Sequence, residues 1–296
     1  MNNTTQASTI RRSLLIIDPQ NDFCDLPTSW QIGTPLTHVP VAPALPVKGA
    51  HEDMLRLARL IDEVGQAFGD MVVTLDSHQQ YDVAHPGFWV TGNGDAVTPF
   101  TAITAEQVRA GAYSPRDAGV QDQVLAYLDA LETNGRYTLM VWPVHCEIGT
   151  WGHNVHAAVR AAYNRWEDSN MAVVRKVTKG ENPWTEHYSA LQAEVPLSED
   201  ADTQLNQALI DDLDLSGLIV IAGEASSHCV KATTEHLVQY LPSRQYEKIV
   251  LLTDAMSPVA GFEAQAAAFV DDMKAKGVRT ATCQEMVGWL GGQLPA

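Results

Sequence analysis

Among the residues of this chain that could act in covalent catalysis, Cys229 has the most informative position. It follows a β-branched apolar run at residues 218–221 and a polar turn, and a helical pattern begins at this cysteine. At such a position backbone N–H groups converge, and the helix dipole favours a thiolate. The spacing therefore indicates a nucleophile, although a buried cysteine that only packs helix against sheet is an alternative explanation.

Carboxylate and imidazole side chains follow two other apolar runs. Asp18 comes directly after residues 13–17, and Asp76 and His78 come directly after residues 71–75. An Asp-x-His pair in extended chain has both side chains on one face, within reach of a common cation. The alternatives are a turn cap for Asp18 and solvated side chains for Asp76 and His78.

Two further candidates, His145 and Lys179, follow the apolar runs at residues 137–141 and 171–177. A histidine at a strand end can ligate a metal, and a lysine there can stabilise a negative charge. Most lysines at such positions are solvated, however, and Lys179 taken alone favours that simpler explanation.

The elements that must position these residues alternate between strand and helix. The strands are predicted at residues 13–17, 71–75, 137–141, 171–177, 218–221, 248–252 and 278–282. Helical patterns lie between them, which predicts an α/β fold: a doubly wound, Rossmann-like parallel sheet with helices on both faces. We expect a single domain over residues 12–296, with loop insertions near 24–50 and 89–116, preceded by a flexible N-terminal tail at residues 1–11.

The candidate residues share one location in this predicted fold. The carboxyl ends of the strands form the edge of an open parallel sheet where ligands bind. Six side chains fall at or just past those ends: Asp18, Asp76, His78, His145, Lys179 and Cys229. Chance would have to place six chemically suitable groups at the same edge, so together they predict one active site.

Composition restricts the partners and the compartment. The chain has 36 acidic and 19 basic residues and a formal net charge of -17, which repels nucleic acid and anionic lipid. No apolar stretch approaches the roughly 18 residues of a membrane helix, and the N-terminus lacks an apolar signal core. The cysteines, Cys24, Cys146, Cys229 and Cys283, form no C-x-x-C pair. We therefore expect a cytoplasmic protein with free thiols that binds neither nucleic acid nor membrane.

Five motifs carry a resemblance to a known family. They read LLIIDPQNDF from residue 14, LDSH from residue 75, WPVHCEIGTWG from residue 142, KGENPWTEHYSAL from residue 179 and GEASSHCVKAT from residue 223. In these motifs and in their order the chain resembles the isochorismatase-like superfamily of hydrolases, and within it the nicotinamidase/pyrazinamidase branch of cysteine hydrolases. The motifs span most of the chain.

The resemblance implies a catalytic triad of Asp18, Lys179 and Cys229. Asp18 would accept the thiol proton, and Lys179 would stabilise the resulting charge. The thiolate would attack an amide carbonyl, form a thioester and release ammonia. Backbone N–H groups of Cys229 and Ala225 would bind the oxyanion.

The resemblance also implies a divalent metal held by Asp76, His78 and His145. Water or a further histidine would complete the shell, and His85 matches that histidine only loosely because its spacing from His78 varies within the family. Zinc is the expected ion, with iron or manganese as alternatives. The metal would orient the ring nitrogen of the substrate, and an aromatic pair that matches Phe23 and Trp142 would sandwich the ring.

The implied activity is hydrolysis of nicotinamide to nicotinate and ammonia, with a small-molecule amide as the substrate. One alternative is a related hydrolase of another small amide, a ureido compound or a carbamoyl compound. A second is a non-catalytic small-molecule-binding homologue, although all three triad residues are present. Isochorismate hydrolysis, a vinyl ether reaction, requires no thiol and is therefore disfavoured by Cys229.

The chain departs from this branch directly before the nucleophile. It has Ser227 and His228 where the branch commonly has an aspartate and an aromatic residue, so the sequence determines the chemistry better than the substrate. Because members of the family are often oligomeric, we also expect a homo-oligomer, for which the insertions are candidate contacts.

Overall fold

The structure, a computed structural model, describes residues 10–33 and 40–292. The predicted N-terminal tail therefore lies almost entirely outside the described residues. The strands are β1 (Arg12–Ile17), β2 (Asp70–Asp76), β3 (Trp89–Thr91), β4 (Thr101–Ile103), β5 (Tyr113–Pro115), β6 (Leu139–Val141), β7 (Arg175–Lys179), β8 (Leu218–Gly223), β9 (Ile249–Leu252) and β10 (Arg279–Ala281). The α-helices are α1 (Ala50–Val64), α2 (Ala105–Arg109), α3 (Gln121–Asn134), α4 (Ala157–Asn170), α5 (Gln207–Asp214), α6 (Cys229–Tyr240), α7 (Glu263–Ala275) and α8 (Cys283–Leu290).

Six strands form one parallel sheet in the order β10-β9-β8-β1-β2-β7, which confirms the predicted α/β class. β1 and β8 pair in the middle, with Ile17 opposite Gly223, and β2 pairs with β7, with Asp76 opposite Lys179. After β1 the chain adds β2 and β7 on one side of the sheet, and after β8 it adds β9 and β10 on the other side. The crevice at their carboxyl ends is therefore the topological switch point, where ligands bind in open α/β sheets.

Helices cover the sheet because its central strands are apolar on both faces. Leu14, Leu15, Ile16 and Ile17 of β1 are all completely buried, as a strand with a helix layer on each side requires. Met54, Leu57 and Ile61 form the buried face of α1, which packs against α4 and α8. The helices α6 and α7 also pack against each other.

The prediction that residues 137–141 form a strand of the parallel sheet was wrong. The strand there is β6, and it pairs antiparallel with β4 in a separate two-stranded sheet. The position beside β2 is occupied by β7, while Leu139 and Val141 are buried in a second hydrophobic cluster around α3. A short apolar run indicates burial, but it does not identify the partner strand.

The strand predicted at residues 171–177 also begins later, at Arg175. Met171 ends α4 with a positive φ of 50°, and Met171 and Val173 are 95% and 79% exposed. Lys179 consequently becomes the last residue of β7 rather than a loop residue.

The two insertions are more ordered than simple loops. Residues 89–116 contain β3, β4, α2 and β5 and contribute Trp89, Ile103 and Val108 to the second hydrophobic cluster. In the described parts of residues 24–50, Leu45 and Val47 join the main core. Within the described residues, no helix is long and apolar enough to cross a membrane.

Candidate active site

Four adjacent strand ends bring the predicted triad and Asp76 together. Asp18 follows β1, Cys229 begins α6 after β8, and Asp76 and Lys179 are the last residues of β2 and β7. Lys179 is the hub of this group, because its Nζ atom lies 3.0 Å from Asp18 Oδ2. The same ammonium donates hydrogen bonds to Asp76 Oδ1 at 2.8 Å and to Cys229 Sγ at 3.5 Å. All four side chains are buried.

Thr74 holds Asp18 in place. The Asp18 backbone has a positive φ of 42°, a conformation that aspartate tolerates better than most residues. Its N–H donates to Thr74 Oγ1 at 3.0 Å, and the same hydroxyl donates to Asp18 Oδ1 at 2.5 Å. The other carboxylate oxygen, Oδ2, has an ion-pair contact with Lys179 but accepts no hydrogen bond from the described residues. Oδ2 is thus available to accept a proton.

The buried charges determine the protonation of the nucleophile. Burial raises the pKa of Cys229 well above its usual value, Lys179 opposes this shift, and the Asp18 and Asp76 carboxylates add to it. Burial also raises the pKa of Asp18, against the effect of the Lys179 charge. Burial by itself would lower the pKa of Lys179, but Asp18 and Asp76 raise it well above its usual value. The resting nucleophile is therefore a thiol beside a permanent cation, and it requires a base.

The turn before Cys229 supplies unused hydrogen-bond donors. The carbonyl of Ala225 accepts hydrogen bonds from the N–H groups of His228 at 3.0 Å and Val230 at 3.1 Å. Within the described residues, the N–H groups of Ala225 and Cys229 donate to no protein acceptor. These are the two donors predicted for the oxyanion, and Cys229 also lies at the N-terminus of a 12-residue helix.

Three buried histidines next to this cluster could hold a metal ion. His78, His85 and His145 each offer one ligand atom, and these atoms lie within 4.8 Å of one another. In each ring Nδ1 has a protein acceptor: Asp82 Oδ2 at 3.0 Å, the Gln79 carbonyl at 3.0 Å and the Pro143 carbonyl at 2.8 Å, respectively. Acceptors at Nδ1 would favour the tautomer that leaves Nε2 able to ligate a divalent ion.

Asp76 lies between the three-histidine group and the predicted triad, and it is the carboxylate predicted as a further metal ligand. Its Oδ2 lies 3.1 Å from His78 Nε2 and 3.3 Å from His145 Nε2, while its Oδ1 accepts from Lys179. The Nε2 atom of His85 is buried and has no partner among the described residues. Three imidazoles and one carboxylate form a set that suits zinc, iron or manganese. The residues present therefore fit a divalent ion.

His145 reaches the site through its loop, because β6 lies outside the main sheet. The loop docks on the segment after β2: the His78 N–H donates to the Cys146 carbonyl at 3.0 Å, and the Ile148 N–H donates to the His78 carbonyl at 3.1 Å. Asp22 Oδ2 accepts from the Cys146 N–H at 2.7 Å. His145 thus lies in the three-histidine group, but the strand that precedes it is not the one that the sequence predicted.

A narrow cavity opens onto Cys229 and has a volume of about 20 Å³. A substrate ring would therefore require the lining side chains to move apart. Phe23 and Trp142 both line this cavity, but in the described structure their rings contact other aromatic groups rather than each other. The complete lining is Phe23, Leu45, Asp76, Trp142, His145, Glu186, Tyr188, Ala225, His228, Cys229 and Val259. That Phe23 and Trp142 sandwich the substrate ring remains a prediction from the sequence.

Sequence reasoning missed several residues of the site. Thr74 is the only hydroxyl in an apolar strand, and that contrast was a usable signal. Glu186 and Tyr188 belong to the motif that begins at Lys179, and no role was assigned to them. Glu186 Oε2 is buried with no partner among the described residues, and Tyr188 Oη accepts from Trp142 Nε1 at 3.2 Å. Leu45 comes from an insertion without periodicity, so no pattern indicated it.

A larger cavity, of about 690 Å³, lies at the carboxyl end of β7. It is lined by residues 178–183 and 200–208 together with His187, Ala190 and Leu191. Lys179 contributes to its wall, but Cys229 and the three histidines of the candidate metal centre do not. Cys229, Asp76 and His145 line the narrower cavity instead, which makes it the candidate active-site cavity.

No protein-family model matches the chain, and no curated protein sequence matches it either. Among solved structures, the chain is similar to a yeast nicotinamidase bound to the inhibitor nicotinaldehyde, with 19% identity over 92% of this chain and 99% of that one and a TM-score of 0.60. A nicotinamidase/pyrazinamidase of Acinetobacter baumanii is similar at 17% identity over 93% and 98% of the two chains, with a TM-score of 0.58. A pyrazinamidase of Pyrococcus horikoshii in complex with zinc is similar at 16% identity over 92% and 99%, with a TM-score of 0.51. The chain therefore has the fold that these nicotinamidases and pyrazinamidases share, as the sequence resemblance predicted.

Proposed function

We propose that the protein is a metal-containing cysteine amidohydrolase of the nicotinamidase type, which converts the carboxamide of a nitrogen heterocycle to a carboxylate and ammonia. The observation that carries the proposal is the contact of one buried ammonium, Lys179 Nζ, with Asp18, Asp76 and Cys229. In this proposal Asp18 is the base, Lys179 the cation and Cys229 the nucleophile, and the three lie next to a candidate metal centre. The solved structures of similar fold support it, since they include nicotinamidases.

Acylation begins with proton transfer from the Cys229 thiol to Asp18 Oδ2. The sulfur then forms a bond with the amide carbonyl carbon, and the carbonyl oxygen becomes an oxyanion that the N–H groups of Ala225 and Cys229 can bind. Asp18 returns the proton to the amide nitrogen as the C–N bond breaks. Ammonia leaves, and a thioester to Cys229 remains.

Deacylation uses the same groups, with water in place of the thiol as the nucleophile. Asp18 accepts a proton from a water molecule, whose oxygen attacks the thioester carbonyl, and the C–S bond breaks. The proton returns to the sulfur and the carboxylate product leaves. Throughout the cycle Lys179 remains charged, because two carboxylates raise its pKa, and it stabilises the negative charge as that charge moves between sulfur and Asp18.

His78, His85, His145 and Asp76 would hold the divalent metal, for which zinc is the proposed ion. When bound, the metal supplies a Lewis acid that can orient the ring nitrogen of the substrate. The zinc of the Pyrococcus horikoshii pyrazinamidase supports this choice. A cytoplasmic location, a homo-oligomeric state and the absence of nucleic-acid and membrane partners remain predictions from the sequence.

Ammonia release tests this function directly. The panel contains nicotinamide, pyrazinamide and linear amides, with metal-loaded wild type, Cys229→Ala and, as a matched control, Cys283→Ala, which alters a buried thiol outside the site. We expect turnover of at least one heterocyclic amide, a loss of roughly a thousandfold or more in Cys229→Ala and little change in Cys283→Ala.

Hydroxylamine should divert part of the product to a hydroxamate, as expected for an acyl-enzyme. Ammonia release that persists in Cys229→Ala would contradict the assignment of Cys229 as the nucleophile. If the metal-loaded wild type releases no ammonia from any amide, a non-catalytic binding protein becomes the better proposal.

A further inference from the structure

His228 occupies a polar position in an otherwise aromatic wall of the cavity. Its ring is surrounded by Phe262 at 4.7 Å, Trp142 at 5.2 Å, Tyr188 at 5.2 Å and Tyr137 at 6.0 Å between centroids. These contacts hold the imidazole in one orientation. The residue directly precedes Cys229, so any ligand that reaches the nucleophile also meets this wall.

Two hydrogen bonds select one tautomer of His228. The Val259 N–H donates to Ser227 Oγ at 3.1 Å, and Ser227 Oγ lies 2.9 Å from His228 Nδ1. The Ser227 hydroxyl has one hydrogen, and among the described residues His228 Nδ1 is its only possible acceptor. With Nδ1 as the acceptor the hydroxyl hydrogen is paired, so this arrangement favours the tautomer that carries its hydrogen on Nε2.

The resulting Nε2–H is a donor that the protein itself does not use. Burial and the positive charge of Lys231 lower the pKa of His228 to about 4, so the ring is neutral at physiological pH. No described residue accepts a hydrogen bond from Nε2, although its ring lines the cavity. A ligand that displaces water from this wall must supply an acceptor or leave the donor unpaired, so the wall favours a ligand that supplies one.

This donor belongs to a different wall from the candidate metal centre. The ring of His145 contacts Phe23, His78 and His85, whereas none of the rings that contact His228 belongs to that group. A heterocycle whose ring nitrogen faces the histidine cluster therefore presents another edge to His228.

We propose that His228 is a specificity-determining residue whose Nε2–H binds a second hydrogen-bond acceptor on the substrate ring, on the edge remote from the metal-facing nitrogen. The proposal rests on the proposed function, because it assumes a heteroaromatic carboxamide with its carbonyl at Cys229. The preferred substrate class is then a carboxamide of a ring with two acceptors, rather than nicotinamide itself.

Diazine carboxamides test the position of the acceptor without changing the size of the ring. Each retains a nitrogen meta to the carboxamide, as in nicotinamide. Pyrazinamide and pyrimidine-5-carboxamide place their second nitrogen on the remote edge, ortho and meta to the carboxamide respectively. Pyridazine-4-carboxamide places it on the edge that faces the metal, and it serves as the control ligand.

The kinetic readout is kcat/KM for each diazine divided by kcat/KM for nicotinamide. In the wild type we expect this ratio to be about tenfold or more for at least one remote-edge diazine, which is the effect of about 1.4 kcal/mol from one hydrogen bond. In His228→Phe the ratio for that diazine should fall by about tenfold relative to the wild type, while the ratio for pyridazine-4-carboxamide should change by less than about twofold. His228→Gln, which keeps an N–H donor near the Nε2 position, should restore part of the preference for that diazine. Comparison between variants cancels differences in intrinsic reactivity among the amides.

Binding separates this inference from the proposed function. Calorimetry of the same ligands with metal-loaded Cys229→Ala, with and without His228→Phe, measures the preference in the absence of turnover. A His228-dependent preference for remote-edge diazines without any hydrolysis by the wild type would support the inference and reject the proposed function. Equal preference with and without His228→Phe, or no binding of any ligand, would overturn the inference.

The tautomer has an independent readout. Long-range proton–nitrogen correlation spectra of histidine-labelled protein should show His228 protonated on Nε2, and Ser227→Ala should shift the population toward Nδ1. The same variant should reduce the diazine preference. Protonation of His228 on Nδ1 in the wild type would contradict the proposed hydrogen bond from Ser227 to Nδ1.

Discussion

At the scale of single residues, Asp76 connects the two halves of the site. One of its oxygens accepts from Lys179, and the other faces His78 and His145. A carboxylate shared in this way would couple the charge at Cys229 to that of an ion held by the histidines. The same residue types in isolation would be ordinary solvated side chains, so their function depends on burial together.

The sequence did not decide whether His85 is a metal ligand, and the structure puts it in the three-histidine group. His85→Ala should weaken metal affinity by about a hundredfold or more, because it removes a buried Nε2 that has no partner among the described residues. Metal content after dialysis against a competing chelator measures the effect. His153→Ala is the matched control, since that histidine contacts Ser77 and lies outside the three-histidine group. Unchanged affinity in His85→Ala would exclude it from the metal shell.

At the scale of elements, the site depends on close packing between β1 and β8, where the nucleophile turn begins. Gly223 has a φ of 121°, and a Cβ atom there would lie 1.9 Å from the Ile17 carbonyl oxygen. Only glycine fits, because both the conformation and the space exclude a side chain. This contact holds the turn to Cys229 next to Asp18.

Gly223→Ala should therefore destabilise the protein by roughly 3 kcal/mol or more or prevent folding. Gly261→Ala provides the control: its φ of 88° is also positive, but nothing lies within 4 Å of the added Cβ, so the expected cost is about 1 kcal/mol. Urea unfolding of both variants gives the comparison. Similar stability of the two variants would show that the β1–β8 contact relaxes easily.

At the scale of the whole molecule, buried histidines make stability depend on pH. Outside the candidate metal centre, burial lowers the pKa of His156 to about 4, His187 to about 3, His228 to about 4 and His236 to about 4. An unfolded chain protonates histidine near pH 6.5, so between about pH 6.5 and 4 it binds more protons than the folded protein. The free energy of unfolding should therefore fall as the pH decreases through this window and be largest above it.

His236→Gln isolates one contribution to this dependence. In the wild type His236 Nε2 accepts from Arg136 at 2.6 Å, and a glutamine oxygen can accept the same hydrogen bond without titrating. We expect a shallower fall of unfolding free energy below pH 6.5, by up to about 1.4 kcal/mol per pH unit, and stability within about 1 kcal/mol of wild type at pH 7.5. Denaturant unfolding at several pH values provides the measurement, and an unchanged slope would contradict the lowered pKa.

The sequence by itself determined the fold class and most of the candidate site. Apolar runs of strand length and helical periodicity depend on local patterning, so the parallel sheet and its carboxyl edge were predictable, and the motifs identified Asp18, Asp76, Lys179 and Cys229. Strand pairing depends on contacts between distant segments, so only the tertiary structure showed that β6 leaves the main sheet and that His145 arrives through its loop. Tertiary packing also decided that His85 joins the histidine cluster and that Ser227 Oγ lies 2.9 Å from His228 Nδ1. Both depend on distances of a few ångströms between side chains, which spacing along the chain does not specify.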